Sequence, residues 1–80
     1  MQLNSISTAY FIGIGGIGMS ALARYLKRKH AIRVAGYDRI PSDVTAALEA
    51  EGIEVYYNQN AVPADITSLP PASILVIRTP

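Results

Sequence analysis

The chain has no cysteine among its eighty residues, which excludes a disulfide framework and a thiolate metal site and fits a reducing compartment. It also lacks a dominant charge. Seven Lys and Arg stand against six Asp and Glu, a net charge of +1, too little to draw a polyanion through bulk electrostatics. Nucleic acid is therefore not an expected partner. Gly, Arg and Asp interrupt every apolar run well before the roughly 18 residues of a membrane span, and the opening MQLNSIST has neither the basic segment nor the long apolar core of a secretory signal. These features predict a cytoplasmic protein with no membrane partner. There is no internal repeat and no low-complexity segment. Glu49, Glu51 and Glu54 scatter around a helix end and a strand without forming a carboxylate pair. His30 has no second His, Cys or acidic residue at ligand spacing, so no metal site is expected.

What the chain does have is a globular composition, half hydrophobic and 16% charged. Eighty residues make one small domain, in which folding buries about 60 to 65% of the surface that the unfolded chain exposes. Ala9 to Ile14 reads AYFIGI, a short β-forming run suited to a strand buried on both faces. From Ile17 the apolar spacing turns helical, with Ala21, Leu22, Tyr25 and Leu26 as a stripe and a predicted end near Lys29 or His30. Arg24, Lys27, Arg28, Lys29 and His30 then read as a solvated helix end whose cations complement the dipole.

Ile32 to Tyr37 is a second strand, and Ser42 or Asp43 can cap a second helix carrying Val44, Ala47 and Leu48, with Gly52 as its left-handed terminator. Ile53 to Tyr57 forms a third strand. Asp65 to Leu69 lies in a loop or short helix, Pro70 and Pro71 punctuate the approach, and Ser73 to Ile77 forms a fourth strand. The order predicts an α/β fold: a Rossmann-like parallel sheet with right-handed crossovers and helices on both faces. Strand four or strand one would present an unpaired edge. Because such a sheet usually continues past a fourth strand, residues 1–80 are expected to be an N-terminal domain cut from a longer protein.

Gly13, Gly15 and Gly18 satisfy GxGxxG, with a strand before them and a helix after. In this context the first glycine permits a tight turn, the second lets a phosphate approach the backbone, and the third lets helix and strand pack closely. Gly16 adds freedom. The helix start offers unpaired N–H groups at the positive end of its dipole, which suits a diphosphate. Asp38 follows Gly18 by twenty residues at the end of strand two, where it can accept hydrogen bonds from ribose hydroxyls or a base N–H, or cap its own turn. These residues specify a nucleotide diphosphate site without naming the nucleotide.

FIGIGGIGMSALARYL, then VAGYD, VTAALEAEGIEVYYNQN and ILVIRTP, closely resemble the N-terminal domain of the Mur ligases, over about Tyr10 to Pro80. GIGGIGMSALA is the most specific part, and within the family the wording is nearest to members that couple L-alanine to UDP-N-acetylmuramic acid. The resemblance implies a domain binding the UDP part of that sugar acid. Its diphosphate would lie on Gly13, Ile14, Gly15, Gly16, Ile17 and Gly18, with Met19 and Ser20 at the helix start and Asp38 and Arg39 near the uridine. Relatives often carry a His after strand three; here the stretch is Asn58-Gln59, and the resemblance implies that Gln59 would stand in for it. Tyr37 stands where many members have Ser or Gly, and Thr79 would border the uridine after strand four.

In the whole enzyme, the resemblance implies, ATP phosphorylates the sugar-acid carboxylate and the amine of L-alanine attacks the acyl phosphate. That chemistry needs Mg²⁺ and a GxxxxGK[ST] loop, and neither that loop nor a catalytic residue is identified in this chain. Met19 has a plainer reading as a space-filler beneath the loop. Tyr56 and Tyr57 alternate across a strand, so one would pack and the other be exposed, free to stack on uracil. Two other classes share the glycine turn: an NAD(P)-dependent oxidoreductase domain and a non-catalytic nucleotide-sensing module.

Overall fold

The computed structural model describes residues 6–58 and 62–78. Strand β1 (Thr8–Ile12) leads to helix α1 (Ile17–His30), strand β2 (Arg33–Tyr37), helix α2 (Asp43–Ala50) and strand β3 (Glu54–Tyr56). A short helix α3 (Ala64–Thr67) and a 3₁₀ turn (Pro71–Ser73) then precede strand β4 (Ile74–Arg78). β1 is shorter at its end than the apolar run suggested, because Gly13 takes φ 88° and turns the chain out of the sheet. The two prolines do more than punctuate: the second opens the 3₁₀ turn, where its fixed φ is already suitable.

Local signals set the helix ends. Ser42 caps α2 in a reciprocal box with Thr45: the Ser42 hydroxyl accepts from the Thr45 N–H at 3.2 Å, and the Ser42 N–H donates to Thr45 Oγ1 at 2.8 Å. At the other end Gly52, at φ 87°, donates to the Glu49 carbonyl while Ile53 donates to that of Leu48. This is a Schellman closure, sealed by packing of Leu48 and Ile53 in the core. α1 ends in Ala31 at φ 52°, a left-handed residue without the freedom of glycine.

All strand pairs are parallel and the order is β3-β2-β1-β4. β1 is therefore central; the edges are β3 and β4, which corrects the expectation that strand one could be an edge. After building outward through β2 and β3, the chain crosses back to lay β4 on the far side of β1. That reversal makes a topological switch point between β1 and β4.

Register divides the two faces. Ala9 lies opposite Val34 and Leu75, and Phe11 opposite Gly36 and Ile77; this face meets Ala23 and Leu26 of α1 and Leu48 of α2 in one core cluster. Fully buried Phe11, Ile14, Leu48 and Val34 each contribute about 1.5 to 3 kcal/mol of hydrophobic stabilisation. On the opposite face, Tyr10, Ile12, Ile74 and Val76 line an open groove of about 590 Å³ together with Ile66 and Leu69 from the α3 region. Arg33 fastens α3 there, bonding Glu54 through two nitrogens at 2.6 and 2.8 Å and Asp65 at 2.6 Å.

Candidate functional site

The C-terminal ends of β1 and β2 meet at one carbonyl. Gly13 and Ile14 both donate their N–H groups to the Tyr37 oxygen, at 2.8 and 3.1 Å, and Gly16 donates to Gly13 at 3.1 Å. The glycine turn is thereby pinned to the sheet. Gly16 then becomes the N-cap of α1, with no side chain closing the cap and no acidic residue in the first turn. The N–H groups of Ile17, Gly18 and Met19 precede the first intrahelical bond, which is from Ser20 N–H to Gly16 at 2.8 Å. Lys27, Arg28, Lys29 and His30 occupy the last turn, so the helix's own charges complement only its negative end. What remains is a positive, donor-rich helix start at the carboxyl end of a parallel sheet, suited to an anion.

Asp38 faces this turn. Its N–H donates to the Tyr56 carbonyl at 3.0 Å, fixing the residue at the end of β2. Its carboxylate accepts from Ile40 N–H at 3.3 Å and, across the site, from Gly15 N–H at 2.7 Å. The Ile40 contact is the turn-capping reading of Asp38, and the Gly15 contact sets the same carboxylate against the glycine turn. Arg39 and Ile40 beside it are exposed, as is Ile17 at the helix start.

The glycines differ in role from the sequence expectation. A Cβ on Gly15 would stand 2.7 Å from Asp38 Oδ2 and 3.1 Å from the Thr45 methyl, whereas one on Gly18 would meet nothing within 4 Å. Gly18 therefore does not serve close packing of helix on strand. Close packing is met instead at Gly36, between β2 and the end of β1 with its turn: a Cβ there would lie 2.6 Å from Ile14 Cδ1 and 2.9 Å from the Phe11 carbonyl. Sequence reasoning missed Gly36, although a glycine inside a strand run is itself a sign of close approach.

The remaining expected site residues occupy distinct surroundings. Ile14 is fully buried in the core, so its side chain shapes the loop from beneath. Met19 packs half-buried against the same cluster. Ser20 is buried and its hydroxyl donates to the Ile17 carbonyl at 3.0 Å. Gln59 and Thr79 lie outside the described residues. Tyr56 and Tyr57 are both half-buried, so neither is the freely exposed ring expected; their hydroxyls donate to Glu54 at 2.8 Å and Glu49 at 2.9 Å. Burial, reinforced by the Glu54 carboxylate, pushes the Tyr56 hydroxyl above its ordinary pKa. The Arg33 guanidinium holds Glu54 below the usual carboxylate range.

The basic end of α1 behaves as a solvated surface: Arg24 and Arg28 pair with Glu51 at 2.8 and 3.4 Å, and His30 makes an edge contact with the Tyr25 ring. Among the described residues no group of three or more His, Asp or Glu could hold a metal ion. Nor is any helix among them long and apolar enough to cross a membrane.

Comparison with known proteins adds the family. The profile described as "Mur ligase family, catalytic domain" matches residues 8–79. The chain is 49% identical over 80 residues to the UDP-N-acetylmuramate--L-alanine ligase of Cytophaga hutchinsonii and 44% identical over 80 residues to that of Parabacteroides distasonis. It is 48% identical over 82 residues to the enzyme of the same name from Flavobacterium johnsoniae. Each alignment takes in 100% of this chain and 17% of the relative, so the chain spans about a sixth of their length. The glycine turn, the parallel sheet and this match agree: the chain belongs to the Mur ligase family.

Proposed function

We propose that this chain is the UDP-binding N-terminal domain of a UDP-N-acetylmuramate:L-alanine ligase and that it holds the nucleotide end of UDP-N-acetylmuramic acid. The observation that carries this reading is the α1 start, where the N–H groups of Ile17, Gly18 and Met19 have no intrahelical partner, opposite a carboxylate fixed at the end of β2. The diphosphate takes the donors, and the uridine lies toward Asp38 and Arg39, with Gln59 and Thr79 as further contacts. Charge-assisted hydrogen bonds of this kind are worth about 1.5 to 3 kcal/mol each. Their use here is positional: binding energy gathered at the nucleotide orients a carboxylate that reacts elsewhere.

The reaction proposed for the whole protein is peptidoglycan-directed amide formation, in which ATP activates the sugar-acid carboxylate and L-alanine supplies the amine. ATP and Mg²⁺ do not fit the residues in hand. The chain contains no GxxxxGK[ST] loop, and the described residues hold no metal-binding cluster; both groups fall to the rest of the ligase. A cytoplasmic location is part of the proposal. The family match supports this reading over the oxidoreductase and sensing-module alternatives.

Calorimetric titration of the intact protein with UDP-N-acetylmuramic acid and separately with NADH tests it. Saturable binding of the UDP sugar, weakened at least tenfold by Asp38→Ala, is the expected result. Binding of NADH in place of the UDP sugar would overturn the proposal.

A further inference from the structure

Of the second and third motif glycines, Gly15 is the one crowded by protein atoms and Gly18 the one with open space around it, the reverse of the usual division of labour in such a turn. The Gly15 N–H is already committed to Asp38 Oδ2 at 2.7 Å. A missing Cβ there makes room for that oxygen, which would lie 2.7 Å from it, and for the Thr45 methyl at 3.1 Å. Thr45 is fully buried and bound into the Ser42 capping box, so it cannot retreat without loosening α2. A phosphate brought to Gly15 N–H would have to displace a carboxylate and then sit beside it, two anions in direct contact. Gly18 is exposed at the second position of α1, and its N–H precedes the first intrahelical bond.

We infer that the second and third glycines exchange roles in this chain: Gly15 is reserved for the Asp38 carboxylate, which positions the loop, and Gly18 is the glycine over which the diphosphate approaches. Asp38 is thus a positioning residue that ties the β1 turn to the β2 end through a single short hydrogen bond. The bond keeps the Gly13–Gly16 turn facing the site before any ligand arrives. The inference about Gly18 rests on the proposed function; that about Gly15 does not.

A double-mutant cycle in the intact protein separates the two. Domain opening is read from hydrogen exchange of the β1 and β2 amides without ligand, and affinity from titration with UDP-N-acetylmuramic acid. Gly15→Ala is expected to speed exchange about tenfold or more, because relieving the contact breaks a charge-assisted hydrogen bond. In an Asp38→Ala background only the 3.1 Å contact with the Thr45 methyl remains, so the same substitution is expected to change exchange and affinity at least about threefold less than it does in the parent. Asp38→Asn keeps an acceptor oxygen there without the charge and should restore only part of the sensitivity to Gly15→Ala.

Gly18→Ala should leave exchange unchanged or slower, since alanine favours a helix, yet weaken the UDP sugar about tenfold or more. An equal cost of Gly15→Ala with and without the Asp38 carboxylate, or undiminished affinity in Gly18→Ala, would overturn the inference. If the intact protein binds no UDP-N-acetylmuramic acid, the proposed function fails on its own account. The ligand-free exchange cycle still decides whether Gly15 is reserved for Asp38.

Discussion

Replacing Gly36 with alanine should damage both the sheet and the loop above it. The added Cβ would stand 2.6 Å from Ile14 Cδ1, 2.8 Å from Ile14 Cβ and 2.9 Å from the Phe11 carbonyl, each well inside the 3.5 to 4.0 Å of an ordinary contact between carbon atoms. A flexible side chain could swing away, but one of these atoms is backbone and the others belong to a side chain with no exposed surface. β1 and β2 must therefore part, or Ile14 must move and take the glycine turn with it. Overpacking of this kind costs about 1 to 3 kcal/mol, offset by about 0.4 to 1 kcal/mol from the stiffer unfolded chain.

Because both backbone and β-branched atoms obstruct, we expect a net loss near the upper end, about 2 kcal/mol, which speeds exchange of the β1 and β2 amides about 30-fold. Hydrogen exchange of the intact protein measures it directly. Exchange within about twofold of the parent would refute the packing argument. A partial rescue by Ile14→Val, which removes the Cδ1 atom, would support it.

Ala31→Gly should stabilise the domain by about 0.5 to 1 kcal/mol, because Ala31 sits at φ 52° and the relief of a left-handed alanine exceeds the added chain entropy; slower exchange in α1 is the readout. Ser42→Ala should cost about 1 kcal/mol by opening the capping box with Thr45, seen as loss of protection confined first to α2. Glu54 titrates below its ordinary 4.5 chiefly through its bond to Arg33. Its contribution is therefore present above pH about 4.5 and lost as pH falls through the lowered folded-state value. With roughly a third of both side chains exposed, the pair is worth less than about 1 kcal/mol. Glu54→Gln should flatten that part of the acid limb, and an unchanged pH profile would count against the pairing.

Local chemistry was legible in the sequence where it acts over a few residues. The strand-to-helix change around Gly13, Gly52 as a left-handed stop and Ser42 as one of two caps all follow from short-range backbone needs, and the structure realises each one. Asp38, twenty residues past Gly18, was legible as an acceptor at the end of β2 able to cap its own turn; its bond to Gly15, over a separation of 23, was not. The same limit hid the tight contact between Gly36 and Ile14, because it depends on which strands become neighbours. Strand order itself is non-local: nothing in ILVIR says that β4 pairs with β1 and not with β3. The Arg33 bridge to Glu54 and Asp65 likewise joins residues 21 and 32 positions apart. Gly18 was misread because motif chemistry assigns the third glycine to packing, whereas here that space is open.

The most direct test of the central claim is an amide-resolved NMR titration of the protein with UDP-N-acetylmuramic acid. The account predicts shifts concentrated at Gly13 to Ser20 and at Asp38 to Ile40, saturating together, with the groove around Tyr10 and Val76 unaffected. Saturable shifts centred on that groove, or at the glycine turn with NADH alone, would contradict it.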